Sequence, residues 1–246
     1  LPAHAKINTG SICVNGTDIT NYREQQMRQL RGMVFSIVFQ NPMTALHPSM
    51  TVGAQIAEAV KVHQPDIQKP QLQRRVTELM QMTGIDHPKQ RMRQYPYQFS
   101  GGMLQRAVLA SALACNPSIL LADEPTTALD AVIQAQILAL FTDIQKKLGM
   151  AAVFVTHDLK AAAKVADRVA VMSQGRIVET GTVKDIYERP RLPYTCGLLQ
   201  ASFTTKDMRR QRVKMKEKES KEVPEKVLAK ESENKSDKEL LLNIQN

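Results

Sequence analysis

Apolar positions in this chain follow two spacings, and the change from one to the other marks out the elements. Val52, Ile56 and Val60 lie four apart, on one face of a helix. Leu72, Val76, Leu79 and Met80 repeat that spacing behind Pro70, which suits a first helical turn, and the stripe stops at Gly84. Leu104, Val108, Ala112 and Cys115 make a third stripe after Gly102. The longest stripe, Ile133, Ile137, Leu140, Ile144 and Leu148, is closed by Gly149. Apolar runs lie at 33–39, 119–122 and 151–155: the first, with its β-branched residues, and the second predict buried strands, and the third predicts a strand. Asn15-Gly16 behind Ile12 and Val14 predicts one hairpin; Ser173-Gln174-Gly175 between 168–172 and 176–179 predicts another. Residues 21–31 read as a helix, with Asn21 and Glu24 spaced as a capping box and Gly32 ending it. Residues 41–49, with two prolines, read as a loop, and Asp158 as the cap of a short helix. Strands alternating with helices predict a layered α/β domain with a partly parallel sheet. A helical insert of about 50 residues divides its strand-bearing parts.

Composition changes past Ala201. Lys, Glu and Ser dominate residues 204–246 and no stripe longer than a turn survives, so this stretch is expected to be a charged, solvated tail. The net charge is +9; 12 basic against 9 acidic residues between Lys206 and Glu239 put +3 in the tail and +6 elsewhere. That excess is not clustered with aromatics, so no nucleic-acid groove is expected. No apolar run reaches the ~18 residues of a membrane span, and no charged-then-apolar leader opens the sequence. Cys13, Cys115 and Cys196 lack metal or paired spacing, which favours reduced thiols in a cytosolic protein.

Four short motifs then occur in one order: Phe99-Ser100-Gly101-Gly102-Met103, Leu120-Leu121-Ala122-Asp123-Glu124, Ala128-Leu129-Asp130 and Thr156-His157-Asp158. Asp123 and Glu124 follow an apolar strand directly. A carboxylate at a strand's carboxyl end holds Mg²⁺, and its neighbour orients or deprotonates an attacking water. Ser100, Gly101 and Gly102 precede a helix and offer a hydroxyl and free N–H groups to an anion. Gln40 ends the first strand run, where its amide can reach a metal or a water. His157 follows the third run, which sets it on the same sheet edge as Asp123.

In this order the motifs resemble the nucleotide-binding subunits of ABC transporters, over roughly residues 10–201. The resemblance implies a P-loop NTPase-like ABC nucleotide-binding domain at 1–203, with a helical subdomain at about 43–115. It makes Gln40 the Q-loop residue, Ser100 to Gly102 the signature, Asp123 the Walker B acid and Glu124 the catalytic base. Asp130 becomes the D-loop residue, His157 the switch histidine, Asp123 and Gln40 the metal-facing pair, and ATP with Mg²⁺ the cofactors. Gln40-Asn41-Pro42, Tyr95-Pro96-Tyr97-Gln98-Phe99, Ile133-Gln134-Ala135-Gln136 and Arg191-Leu192-Pro193-Tyr194-Thr195 are similar to peptide and nickel importer ATPases. Gly102-Met103 with Thr126-Thr127 resembles the D-type subunit, which works beside an F-type partner. The resemblance therefore implies a second ATPase subunit or a homodimer, two permease subunits, an indirect extracytoplasmic solute-binding protein, and a peripheral place on the cytoplasmic side of the membrane.

Leu104 departs from a usually basic position and is expected to pack; Leu192 stands where that subfamily often has His. The larger departure is that the glycine-rich loop G-x-x-x-x-G-K-[ST] occurs nowhere in the 246 residues. The expectation is a C-terminal portion of a longer subunit, inactive as an ATPase by itself and poorly soluble. A non-catalytic piece that lends only its signature to a partner, and a soluble ABC ATPase of DNA repair or translation, are the alternatives.

Overall fold

The computed structural model describes residues 7–127 and 129–202. They fall into two compact units, divided between residues 31 and 32. The charged tail expected at 204–246 lies outside the described residues.

In the first unit, β1 (Cys13–Val14) and β2 (Thr17–Asp18) pair antiparallel. Asn15 and Gly16 both take positive φ, 51° and 77°, which is the backbone a tight two-residue hairpin turn requires. Helix α1 is Glu24–Leu30, three residues shorter at its start than the spacing predicts. The Asn21–Glu24 box does not form. Arg23 N–H instead donates to Gln26 Oε1 at 2.9 Å, and the Glu24 carboxylate is taken by Arg31.

The second unit begins with β3 (Phe35–Val38), followed by α2 (Pro42–Ala45), α3 (Val52–Lys61), α4 (Lys69–Met82), α5 (Pro88–Arg91) and a 3-10 turn at Pro96–Gln98. Next come α6 (Gly101–Ala112), β4 (Ile119–Asp123), α7 (Ala131–Leu148), β5 (Ala151–Val155) and α8 (Leu159–Val165). A hairpin of β6 (Arg168–Ser173) and β7 (Arg176–Thr182), then α9 (Val183–Glu188) and α10 (Pro193–Ser202), completes it. The loop expected at 41–49 contains α2, because Asn41 accepts from Met43 N–H and Pro42 fills the first turn.

Strands β3, β4 and β5 form one parallel sheet in that order, with Val38 opposite Ala122 and Asp123 opposite Val155. All three strands therefore end on the same edge. Alternation sends Val38, Leu120 and Ala122 to one face, where they join a core filled by α3, α4, α6 and α7. Every predicted anchor of the α3 and α4 stripes is buried there, as is Leu104. Phe141 of α7 meets Phe154 of β5 edge to face at 5.9 Å. Gly149 at φ 61° ends α7 and lets the chain turn into β5.

A second core joins the β6–β7 hairpin to α8, α9 and α10 through Val171, Val183, Ile186, Tyr187 and Leu199. Burial pushes the Tyr187 phenol up, helped by the charge of Asp158, and its hydroxyl donates to Leu159 C=O. Glu179, buried on β7, accepts from the N–H groups of Arg191 (2.8 Å) and Leu192 (3.4 Å) and from the Thr195 hydroxyl. A buried carboxylate thus supplies the missing partners at the start of α10.

Candidate functional site

The parallel sheet ends in a polar edge because the chain turns sharply after each apolar run. Glu124 follows β4 at φ 44°, a left-handed backbone that few non-glycine residues adopt. Its N–H reaches across to Val155 C=O at 2.9 Å, so the last rung between β4 and β5 fixes the residue in that turn. Such a conformation persists where its surroundings hold it, and such places are often functional.

Three loops converge on the Glu124 carboxylate. Gln40 Nε2 and Thr127 Oγ1 donate to Oε2 at 2.7 and 2.9 Å, and His157 Nδ1 lies 2.8 Å from Oε1. The His157 contact holds the carboxyl below the usual glutamate range, with the Thr127 and Gln40 hydrogen bonds adding to it and partial desolvation opposing. Ionised Glu124 is consequently the form this cluster favours. With Nδ1–H given to Glu124, the His157 ring can donate a second hydrogen bond from Nε2 only when it is protonated. The His157 side chain is 69% exposed, so that nitrogen is accessible.

Asp123, the last residue of β4, is exposed at the same edge. Asp130 caps α7, its Oδ1 accepting from Val132 and Ile133 N–H at 3.0 Å each. Asp158 likewise caps α8. Ser100 caps α6 through a long bond from Met103 N–H, 3.4 Å, and stays exposed beside exposed Gly101. A Cβ on Gly102 would lie 2.6 Å from Ile133 Cγ2, so the tip of α6 packs directly against the start of α7. The structure thus joins Gln40, Glu124 and His157 by hydrogen bonds and leaves Ser100 to Gly102 as a separate helix tip beside the α7 start.

Thr127 and Gln134 entered the sequence reading only within motifs of family resemblance, with no place at the site. Thr127 lies three residues past Glu124 in the same turn, a spacing that could have suggested the contact. Gln134 donates to Asp158 Oδ2 at 2.7 Å, a pairing across 24 positions that has no local signal. Among the described residues, no group of three or more His, Cys, Asp or Glu side chains could hold a metal ion unaided.

A parallel sheet with an acid-terminated central strand, a serine-capped helix tip and a histidine from the next strand define an ATP-binding cassette. Residues 2–127 match the family described as ABC transporter, and the chain belongs to that family. It is 52% identical over 196 residues to the oligopeptide transport ATP-binding protein OppD of Bacillus subtilis (strain 168), covering 80% of this chain and 54% of that protein. It is 50% identical over 198 residues to the dipeptide transport ATP-binding protein DppD of the same strain, covering 80% and 59%. The chain therefore spans little more than half the length of these relatives. Among solved structures, the dimeric post-hydrolysis state of the ATP-binding cassette MJ0796 bound to ADP and Pi aligns with a TM-score of 0.64. That match is 25% identical and covers 73% of this chain and 75% of the other.

Proposed function

We propose that the chain is part of the ATP-binding and hydrolysing subunit of an importer for di- or oligopeptides, to which it contributes the acidic and histidine edge of the site, acting from the cytoplasmic side of the membrane. The peptide cargo, preferred over nickel, follows the named functions of OppD and DppD. The nucleotide-binding domain in this reading is 1–203, with its helical subdomain at about 43–115 supported by the run of helices α2 to α6. Two permease subunits and a second ATPase subunit, F-type or a second copy, are its partners. The exposure of Ser100 and Gly101 at the tip of α6 supports that pairing, since it leaves the tip open to a nucleotide held by a partner.

The observation that carries the proposal is the triple hold on Glu124. A carboxylate kept ionised by Gln40, Thr127 and His157 is poised to accept a proton from water. Gln40 spends its Nε2 on Glu124 and keeps Oε1 for a metal or a water. Asp123 and Gln40 Oε1 fit Mg²⁺, which takes one or two protein ligands and completes its shell with water and phosphate oxygens. When bound, Mg²⁺ and the triphosphate supply the charge neutralisation that phosphoryl transfer requires. His157 orients Glu124 and, when protonated, presents Nε2–H toward an anion at the edge.

Mg²⁺-dependent ATP turnover by the assembled transporter tests the proposal. Glu124→Gln is expected to lower kcat by about 10²–10⁴-fold, the usual worth of a general base, while ATP binding persists. Unchanged turnover in that variant would remove the assignment. The acid side follows from the sign of the shift: Glu124 is held below the ordinary range, so it stays ionised through neutral pH and the acid limb begins only below that range. The same ionised contacts favour the folded state above the ordinary glutamate range, a contribution lost as pH falls through the depressed value.

A further inference from the structure

We propose that Gln134 is a positioning residue of the hydrolytic edge, whose side-chain amide ties the start of α7 to the loop that carries His157. The inference rests on the functional reading above and assigns it one further residue. Gln134 Nε2 donates to Asp158 Oδ2 at 2.7 Å and lies 3.5 Å from Thr126 Oγ1. Thr126 is buried, two residues past Glu124; Asp158 is next to His157. One amide thus touches both loops whose side chains meet at the Glu124–His157 contact.

The other end of each connection is fixed. Gln134 N–H donates to Asp130 C=O at 2.8 Å within the capped first turn of α7. Asp158 spends Oδ1 on the N–H groups of Lys160 (2.8 Å) and Ala161 (3.2 Å), and its own N–H donates to Thr156 Oγ1 at 2.9 Å. Its Oδ2 is therefore the oxygen left for Gln134. Removing the Gln134 amide leaves the α8 cap and the Thr127–Glu124 bond in place, and releases the 2.7 Å link between α7 and the histidine loop together with the longer contact to Thr126. The consequence falls on geometry at the edge. A misplacement near 1 Å of a reacting group costs turnover by as much as about 10²-fold.

The pair can be reversed chemically. Gln134→Glu sets two carboxylates against each other, whereas Asp158→Asn keeps a cap oxygen and gains a donor. In the transporter assembled with this subunit, Gln134→Ala is expected to lower kcat about 10- to 100-fold with KM for ATP within about twofold. Gln134→Glu loses at least as much, and Gln134→Glu with Asp158→Asn recovers to within about threefold of the parent. Thermal unfolding of each variant separates loss of fold from loss of position. In the subunit alone, the ring nitrogen signals of His157, assigned among the five histidines by their loss in His157→Asn, are expected to move in Gln134→Ala and return in the reversed pair. Parent-level kcat in Gln134→Ala, an unmoved His157 ring, or a reversed pair no better than its poorer single variant would overturn the proposal. A parent assembly that hydrolyses no ATP would remove the functional reading, and the ring signals would still decide the role of Gln134.

Discussion

The two faces of the β3–β4–β5 sheet are built from similar residues and meet opposite surroundings. Val38 and Leu120 are 0% exposed and sit under α6 and α7, whereas Ile37, Val153 and Val155 on the other face are 43%, 41% and 53% exposed. Parallel sheets usually carry cover on both sides, which is why their strands read as unbroken apolar runs. Here the same run supplies both a packed face and an open one. The contrast shows that apolar content records what a strand is able to bury, and that the neighbouring helices decide which half is buried. The polar edge belongs to neither face: Gln40, Asp123, Glu124 and His157 lie where the strands end, anchored by the packed side.

The largest effect is expected from breaking the packed face. Leu120→Ala removes a fully buried side chain from the central strand and should cost about 2–5 kcal/mol in chemical denaturation, the range for cavities left in cores. Because β4 ends in Asp123 and leads directly into Glu124, turnover should fall with stability in this variant. A cost below about 1 kcal/mol would mean that the face packs more loosely than its burial indicates.

Much of the packed side was legible in the sequence. The stripe from Ile133 to Leu148 with its closing Gly149, and the runs ending at Ala122 and Val155, each combine period, length and a terminator, so they appear where expected. Helix α2 was not legible, because four residues cannot display a helical period. Helices α9 and α10 escaped for a related reason: one is six residues long, and the start of the other depends on Glu179, at least twelve positions away. The proposed catalytic edge was legible as residue types. Gln40, Glu124 and His157 each end an apolar run, so a sheet brings them together; the 2.7 Å bond across 84 positions is tertiary and has no sequence period. The open face was invisible, since alternation marks the two faces and does not say which one lacks cover.

A smaller loss is expected where the helical layer closes behind the sheet. Gly102→Ala places a Cβ 2.6 Å from Ile133 Cγ2, a β-branched methyl that cannot swing away. Overpacking costs about 1–3 kcal/mol, while replacing a helical glycine by alanine returns up to about 1 kcal/mol, so a modest net loss is predicted. Adding Ile133→Leu removes the offending methyl and should recover most of it. Recovery in the double variant locates the strain at the α6–α7 contact; no recovery would place it elsewhere.

The smallest effect should come from the open face, and it tests the comparison most sharply. Val153 and Val155 are followed by the Thr156-His157 turn, so polar changes there probe whether exposure alone governs the cost. Val153→Thr and Val155→Thr keep a β-branched shape suited to a strand and exchange one methyl for a hydroxyl. On a face already 41% and 53% exposed, that hydroxyl keeps its water, and each change should alter stability by no more than about 0.5 kcal/mol. Monomer yield should rise, because the largest apolar patches on soluble proteins are the ones that drive association. Since Val155 holds Glu124 through its backbone carbonyl, which the substitution leaves in place, turnover should hold. A penalty from Val155→Thr approaching that of Leu120→Ala would mean that the face is covered in the folded protein, and the two sides of the sheet would then be alike.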